Sequence, residues 1–263
     1  SAGIPKQVSN EVIIAPFNDT ETVKSLINEY QDELGGVIVE PFQRLIPPAP
    51  GFLEMLREIT LKYEIPLIFD EIVTGFRFSY GGAQDYYGVT PDLCTLGKII
   101  GGGFPAAAVC GNKEIMKHFD KALVGEENFL PQIGTLSGNP LASVAGLATL
   151  NILKPASSYQ KVFETGRQLM EGLRAALQDN GHVAQITGEP VLFDVFFSDR
   201  QIKNYRDVLQ SDAGKSRSFN QLLRKQKIFK SDSKFYVSLA HTQDDIDLTI
   251  SAMNHAAKAL KEV

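Results

Sequence analysis

The segment Ile65-Pro66-Leu67-Ile68-Phe69-Asp70-Glu71 is a short apolar run that ends abruptly at two acidic residues. A run of this length without polar alternation is typical of a buried strand, so we predict a strand over 66–70. The similar run over 36–41 is typical of a strand covered on both faces. The surrounding segments alternate between two patterns: helices over 21–34 and 50–63, and strands over 36–41 and 93–96. Such alternation predicts an α/β layer with a mostly parallel sheet.

Ligands of such sheets bind at the carboxyl ends of the strands. Glu40 and Asp70 both lie at predicted strand ends, so we expect both to face one site. Lys98 follows the next strand in the uncharged, glycine-rich run Thr95-Leu96-Gly97-Lys98-Ile99-Ile100-Gly101-Gly102-Gly103. In a poorly hydrated pocket a lysine loses its proton readily and can form a Schiff base. A strand-end carboxylate is the partner that the pyridinium nitrogen of pyridoxal 5′-phosphate requires, so the two residues together predict an enzyme with this cofactor.

Composition excludes several other classes. The chain has 263 residues with a formal net charge of −5, and its lysines and arginines form no patch. It has neither an apolar stretch long enough to cross a membrane nor a signal-peptide pattern, so nucleic acid and membranes are not expected partners. Cys94 and Cys110, the only cysteines, are expected to be buried, reduced thiols of a cytoplasmic protein. The histidines have no metal-ligand spacing.

The second half of the chain has a different pattern. Its predicted elements are helices over 140–153, 159–179 and 243–262, and strands over 191–197 and 236–239. Lys154-Pro155 interrupts the helical pattern, so we predict a boundary there, with residues 1–153 in one domain and 154–263 in a smaller α+β domain.

Five segments carry a resemblance to a known family: Glu40-Pro41, Asp70 to Arg77, Gly82 to Val89, Leu96 to Gly103 and Gly134 to Pro140. Their order and spacing make the chain similar to the class III pyridoxal phosphate aminotransferases of fold type I, especially the group around glutamate-1-semialdehyde aminomutase. The resemblance implies that residues 1–153 are the C-terminal portion of the cofactor-binding large domain.

The resemblance also implies roles for the site residues. Lys98 would hold the cofactor as a Schiff base and carry a proton to and from the substrate α-carbon. Asp70 would pair with the pyridine nitrogen, and Ile72, two residues on along the same face of the strand, would pack against the ring. Thr135 and the backbone of Gly134 would reach the cofactor phosphate of a neighbouring subunit, which implies a homodimer with a shared active site.

Other roles stay open. Gln43 is a candidate for the cofactor's 3′-oxygen or for the substrate, and Glu40 is a candidate for the substrate. Arg77 could clamp a substrate carboxylate or form an ion pair with Asp85 or Glu71. Thr135 could instead cap the helix that follows Pro140.

Two departures from the aminomutase pattern bear on the reaction. This chain has Phe42-Gln43-Arg44 where the aminomutases have small residues and an asparagine, and Lys230 to Phe235 where they have a glutamate. Both favour a transaminase that moves an amino group between an amino acid or amine and a keto acid or aldehyde. The alternatives are the aminomutase itself and a non-catalytic binding module, although such a module would be expected to have lost Lys98 or Asp70.

Members of this family begin upstream of the segment that matches Ser1, with a phosphate-binding loop and an aromatic residue that stacks on the pyridine ring. We therefore expect the sequence to be the C-terminal part of a longer protein. We also expect these 263 residues to have little activity by themselves.

Overall fold

The computed structural model describes residues 2–260. Within them the helices are α1 (Lys6–Asn10), α2 (Thr20–Tyr30), α3 (Phe52–Lys62), α4 (Gly82–Tyr87), α5 (Lys113–Met116), α6 (Lys121–Val124), α7 (Pro140–Leu153), α8 (Ala156–Asp179), α9 (Tyr205–Leu209), α10 (Ala213–Lys225) and α11 (Gln243–Ala259). The strands are β1 (Val37–Val39), β2 (Leu67–Glu71), β3 (Leu93–Leu96), β4 (Ala108–Gly111), β5 (Gln185–Glu189), β6 (Leu192–Phe196) and β7 (Phe235–Tyr236).

The first sheet has the strand order β1-β2-β3-β4. Strands β1, β2 and β3 are parallel, and β4 runs antiparallel at the edge. The predicted mostly parallel sheet is therefore confirmed. Cys110 lies on β4 and is exposed, whereas Cys94 is buried, so the prediction of two buried thiols was wrong for Cys110. The reason is that β4 is an edge strand, which has a neighbour on one side only.

Strand β2 is covered unequally on its two faces. Leu67, Phe69 and Glu71 are fully buried on one face, while Ile68 and Asp70 on the other are half-buried. The buried face packs against the apolar residues of α3, which follow a helical period. The predicted burial of this strand was therefore wrong for the face that carries Asp70. The prediction that the strand over 36–41 is covered on both faces was also wrong, because Ile38 on β1 is 65% exposed.

The second sheet is antiparallel, with the order β5-β6-β7. Helices α8, α10 and α11 pack with it around one apolar cluster, which also takes in Phe42, Leu45 and Phe78 from the first half of the chain. A buried ion pair crosses this region, because Lys230 Nζ lies 2.9 Å from Asp194 Oδ2. The domain boundary at 153/154 stays a prediction.

The predicted helices and strands are present with the predicted type, whereas some of their ends differ from the prediction. Helix α7 has the predicted bounds, and α8 begins three residues before its predicted start. The strand predicted over 236–239 is shorter, because β7 ends at Tyr236. The predicted end of the last helix, at residue 262, lies outside the described residues. No helix between residues 2 and 260 is long and apolar enough to cross a membrane.

Candidate active site

Asp70 is the penultimate residue of β2, at the carboxyl edge of the parallel sheet. Its Oδ1 accepts hydrogen bonds from the Ile72 backbone N–H at 3.1 Å and from the Thr95 hydroxyl at 3.1 Å. Thr95 is the direct register partner of Asp70 on β3. Among residues 2–260 no hydrogen bond reaches the other carboxylate oxygen, Oδ2. The site thus presents one fixed carboxylate with a free acceptor at the strand ends.

Lys98 stands at the same edge, two residues after β3 ends. Gly97 is extended and buried, and Lys98 then begins a 3-10 turn over Lys98–Gly101. The backbone of Lys98 has φ +50°, a left-handed conformation that is uncommon for a lysine and costs energy. The side chain is exposed, so the expectation of a poorly hydrated pocket was wrong for the described part of the chain.

Helix α7 supports the turn that carries Lys98. A Cβ added at Gly146 would lie 2.1 Å from the carbonyl oxygen of Ile100, and one added at Gly102 would lie 2.4 Å from that of Ala145. Only glycine permits such close approach of two backbones. The small residues of α7 therefore fix the position of the turn after β3.

Ile72 lies just beyond β2, because the strand ends at Glu71. The expectation that it stands on the same strand face as Asp70 was therefore wrong. Its side chain nevertheless lies beside the lysine turn, since a Cβ added at Gly97 would be 3.0 Å from Ile72 Cδ1. Ile72 thus donates its backbone N–H to Asp70 and places its side chain beside the residue that precedes Lys98.

Glu71 has a structural role that holds the segment after β2. Its fully buried carboxylate accepts hydrogen bonds from the Thr74 hydroxyl at 3.0 Å, from the Gln84 side chain at 3.0 Å and from the Gln84 backbone N–H at 3.2 Å. It also accepts from the backbone N–H of Ala83 and so caps α4. Of the two acidic residues at the end of β2, Glu71 therefore has the structural capping role, and Asp70 remains available to the candidate site.

Arg77 forms neither of the predicted ion pairs with Glu71 and Asp85 in the described part of the chain. Glu71 is already saturated by α4, which explains the difference. Instead the Arg77 Nε–H donates to the carbonyl of Val73 at 2.8 Å, and the guanidinium lies 4.9 Å from the centre of the Tyr236 ring. Burial lowers the pKa of Arg77.

Glu40 directly follows β1, so it shares the carboxyl edge with Asp70. Its Oε2 accepts from the backbone N–H of Arg44 at 3.5 Å. Gln43 and Ile46 exchange two backbone hydrogen bonds of 3.1 and 2.9 Å, which close a tight turn with Arg44 at φ +62°. The half-buried Gln43 therefore sits on a fixed turn beside Glu40.

Gly134 and Thr135 lie in an exposed loop before α7. The alternative that Thr135 caps this helix was wrong, because the side chain of Asn139 accepts from the Ala142 N–H at 2.9 Å and forms the cap. Within residues 2–260 no hydrogen bond joins this loop to Asp70 or Lys98. Their role in a neighbouring subunit stays a prediction.

A cavity of about 540 Å³ lies elsewhere, near Gly75, Cys94 and Cys110, and neither Asp70 nor Lys98 lines it. Its ionisable lining residues are Tyr80, Asp92, Cys94 and Cys110, and the Asp92 carboxylate is already paired with Arg57, so we assign the site to the sheet edge. Sequence reasoning missed Thr95, and its signal was available, since aligning β3 beside β2 places a hydroxyl opposite Asp70.

An open, mostly parallel sheet with an aspartate and a lysine at adjoining strand ends defines the α/β architecture of the fold type I pyridoxal phosphate-dependent transferases. Residues 3–256 match the family model described as aminotransferase class-III, and the chain belongs to this family.

Solved structures agree with this assignment. An ω-transaminase from Sphaerobacter thermophilus is 34% identical, with a TM-score of 0.93 over 99% of this chain and 60% of that one. A β-phenylalanine aminotransferase from Variovorax paradoxus is 30% identical, with a TM-score of 0.85 over 92% of this chain and 56% of that one. A glutamate-1-semialdehyde aminomutase from Pseudomonas aeruginosa PAO1 shares the fold, with 24% identity and a TM-score of 0.83 over 98% of this chain and 60% of that one. The chain thus spans about 60% of the length of the transaminase that it resembles at 34% identity.

Proposed function

We propose that this chain carries the lysine and aspartate of a pyridoxal phosphate-dependent aminotransferase. The enzyme would move an amino group between an amino acid or amine and a keto acid or aldehyde. One observation carries the proposal: Asp70 and Lys98 stand at the carboxyl ends of adjacent parallel strands, and Thr95 on one strand fixes the carboxylate of the other. A similar structure, 25% identical over 99% of this chain, is described as a transaminase with PLP bound.

The residues at the sheet edge fit this cofactor. The free Oδ2 of Asp70 can accept a hydrogen bond from the protonated pyridine nitrogen. Lys98 takes part in no ion pair within the described chain, so its amine is available to an aldehyde. Ile72 would contact the ring, Gln43 would bind the 3′-oxygen or the substrate, and Glu40 or Arg77 would face the substrate.

When bound, pyridoxal phosphate supplies the aldehyde that takes the amino group and a ring that withdraws electrons from the substrate α-carbon. Proton transfer and orientation of the groups are the tasks of residues in this chain. Lys98 Nζ would accept the proton of the α-carbon and return it to the product. Thr95 and the Ile72 N–H orient the Asp70 carboxylate, because both donate a hydrogen bond to its Oδ1.

We also propose that the active form is a homodimer with a shared site. Helix α7 carries an exposed apolar face of Leu141, Val144, Leu147 and Ile152, each more than 60% exposed. A contiguous apolar face of this kind marks a protein contact. It begins directly after the loop of Gly134 and Thr135, so a second copy bound there would bring this loop towards a neighbouring site.

We further propose a cytoplasmic location, which the two free cysteines support.

The test is an absorbance spectrum of the purified full-length polypeptide with pyridoxal phosphate, before and after borohydride, followed by peptide mass mapping. We expect a reduced adduct on Lys98 that is lost in Lys98→Ala and in Lys98→Arg and retained in the matched surface control Lys24→Ala. Absence of an adduct from every lysine would overturn the proposal and favour a non-catalytic module. Isomerisation of a single substrate without an acceptor would identify an aminomutase instead.

A further inference from the structure

Cys94 and Cys110, the two cysteines of the sequence, lie directly opposite each other on β3 and β4. Residues opposite each other in an antiparallel pair of strands point their side chains to the same face of the sheet. The Cα atoms of such residues are about 4.5 or about 5.5 Å apart, depending on the type of pair. A disulfide requires a Cα separation of about 4.4–6.8 Å, so the strand register brings the two thiols within bonding range.

The two thiols lie on the face of the sheet opposite the candidate site. Thr95, the residue after Cys94, donates its hydroxyl to Asp70, and successive side chains of a strand point to opposite faces. Cys94 belongs instead to the apolar cluster that contains Phe69, its register partner on β2. The pair is thus separate from the proposed cofactor chemistry, and the inference does not depend on the proposed function.

The two thiols share one cavity but differ in their access to solvent. Both cysteines line the cavity of about 540 Å³, and Cys110 on the edge strand is exposed, whereas Cys94 is buried. Burial is the main cause that raises the pKa of Cys94; a hydrogen bond with the Gln84 side chain opposes this effect, and Cys110 adds to it. Because the thiolate is the nucleophile and must reach the reagent, Cys110 is the thiol that an oxidant meets first.

We propose that Cys94 and Cys110 form a site of reversible oxidation, at which a low-molecular-weight disulfide such as oxidised glutathione links them across β3 and β4. Cys110 loses its proton to water, and its sulfur attacks one sulfur of the reagent. A bond between Cys110 and glutathione forms, the S–S bond of the reagent breaks, and the first glutathione leaves as a thiolate that takes up a proton. Cys94 then loses its proton, attacks the Cys110 sulfur and displaces the second glutathione in the same way. Two cysteine thiols are thereby oxidised by two electrons, and one reagent disulfide is reduced to two thiols.

The experiment incubates the reduced full-length holoenzyme with oxidised glutathione and then blocks the remaining thiols with N-ethylmaleimide. Peptides are mapped by mass without a reductant. Trypsin cleavage after Lys98 separates Cys94 and Cys110 into different peptides. We expect these two peptides to be joined by a disulfide, and the link to disappear after reduction.

Single variants follow the two steps separately. Cys94→Ser should stop at a glutathione adduct on Cys110, because no second thiol remains to displace it. Cys110→Ser should give neither the adduct nor the link at these two positions, because Cys94 is buried. Circular dichroism of each variant shows whether it is folded.

The matched control moves the exposed thiol to the other face of β4. Val109 precedes Cys110 on the strand and is 41% exposed, so the double variant Val109→Cys with Cys110→Ser changes the face and hardly changes the spacing in sequence. We expect its link to Cys94 to form at least about tenfold less than the link in the unmodified enzyme, because the geometry keeps the thiols apart. In urea both proteins should form the link equally, since the strands no longer hold the thiols.

Three results would overturn the inference. The first is a glutathione adduct that stays on Cys110 of the folded enzyme and never passes to Cys94. The second is equal linkage in the folded unmodified enzyme and in the Val109→Cys control, because strand register would then not determine the reaction. The third is a folded enzyme in which oxidised glutathione modifies neither cysteine. The Lys98 adduct tests the proposed function by itself, so the two proposals can fail independently.

Discussion

The carboxylate of Asp70 is positioned by two neighbours that differ in kind. One is the backbone N–H of Ile72 in the following turn, and the other is the hydroxyl of Thr95 on the adjacent strand. Both donate to the same oxygen, so the second oxygen keeps its full capacity as an acceptor. Under the proposed function, the charge of Asp70, rather than its shape, would be the property that the site needs.

The substitution Asp70→Asn tests whether the charge of this residue is required. The amide is almost isosteric but cannot stabilise a protonated pyridine nitrogen, so we expect kcat/KM to fall roughly a hundredfold. Steady-state kinetics with the spectrum of the bound cofactor would measure this. Thr95→Ser, which keeps the hydroxyl, should retain most activity. Full activity in Asp70→Asn would contradict the assigned role.

At the scale of elements, Lys230 and Asp194 join the segment before β7 to β6. Both side chains are almost fully buried, at 4% and 7% exposure. Removing one partner of such a pair leaves a buried charge, whereas replacing both with apolar residues removes the cost of burying charge.

We expect Lys230→Met to lower the free energy of unfolding by about 3–5 kcal/mol. The double variant Asp194→Leu with Lys230→Met should recover a large part of that loss. Urea unfolding followed by circular dichroism gives both values. Equal losses in the single and double variants would show that packing, not the isolated charge, determines the effect.

The contact between α7 and the Lys98 turn gives a second prediction at this scale. In Gly146→Ala the new methyl group meets the Ile100 carbonyl, so we expect a loss of about 1–3 kcal/mol in the free energy of unfolding. Gly214→Ala in α10 is the control, because its methyl would come no nearer than 3.2 Å to a side-chain oxygen of Asp212. Unfolding curves of the two variants should differ clearly, and identical curves would show that α7 can move away from the turn.

At the scale of the whole molecule, the exposed apolar face of α7 is the surface on which the proposed dimer depends. Leu147→Glu places a charge at the centre of this face, so we expect the dimer to dissociate and cofactor affinity to fall with it. Leu209→Glu, on the exposed side of α9, is the control. Sedimentation velocity and a cofactor titration measure the two effects. A dimer that survives the change would place the interface elsewhere.

The sequence predicted the parallel sheet and the bounds of α7, because the apolar runs of the strands and the small residues that follow Pro140 are local signals. It did not predict β4, because Ala108 to Gly111 is a four-residue segment of small residues without polar alternation. In the site, the positions of Asp70 and Lys98 could be predicted from the sequence, because both lie at the ends of recognisable strands. The contact between Arg77 and the Tyr236 ring could not be predicted, since it depends on how β7 packs against a distant part of the chain.

Lys98 itself sits in a backbone conformation that glycine adopts at no cost. A chain optimised for folding alone would place glycine there, and we expect Lys98→Gly to melt at a higher temperature than Lys98→Ala. A lysine at position 98 therefore costs some stability of the folded chain but supplies the amine that the proposed reaction requires. Thermostability engineering guided only by backbone geometry would select against the one amine on which the proposed reaction depends.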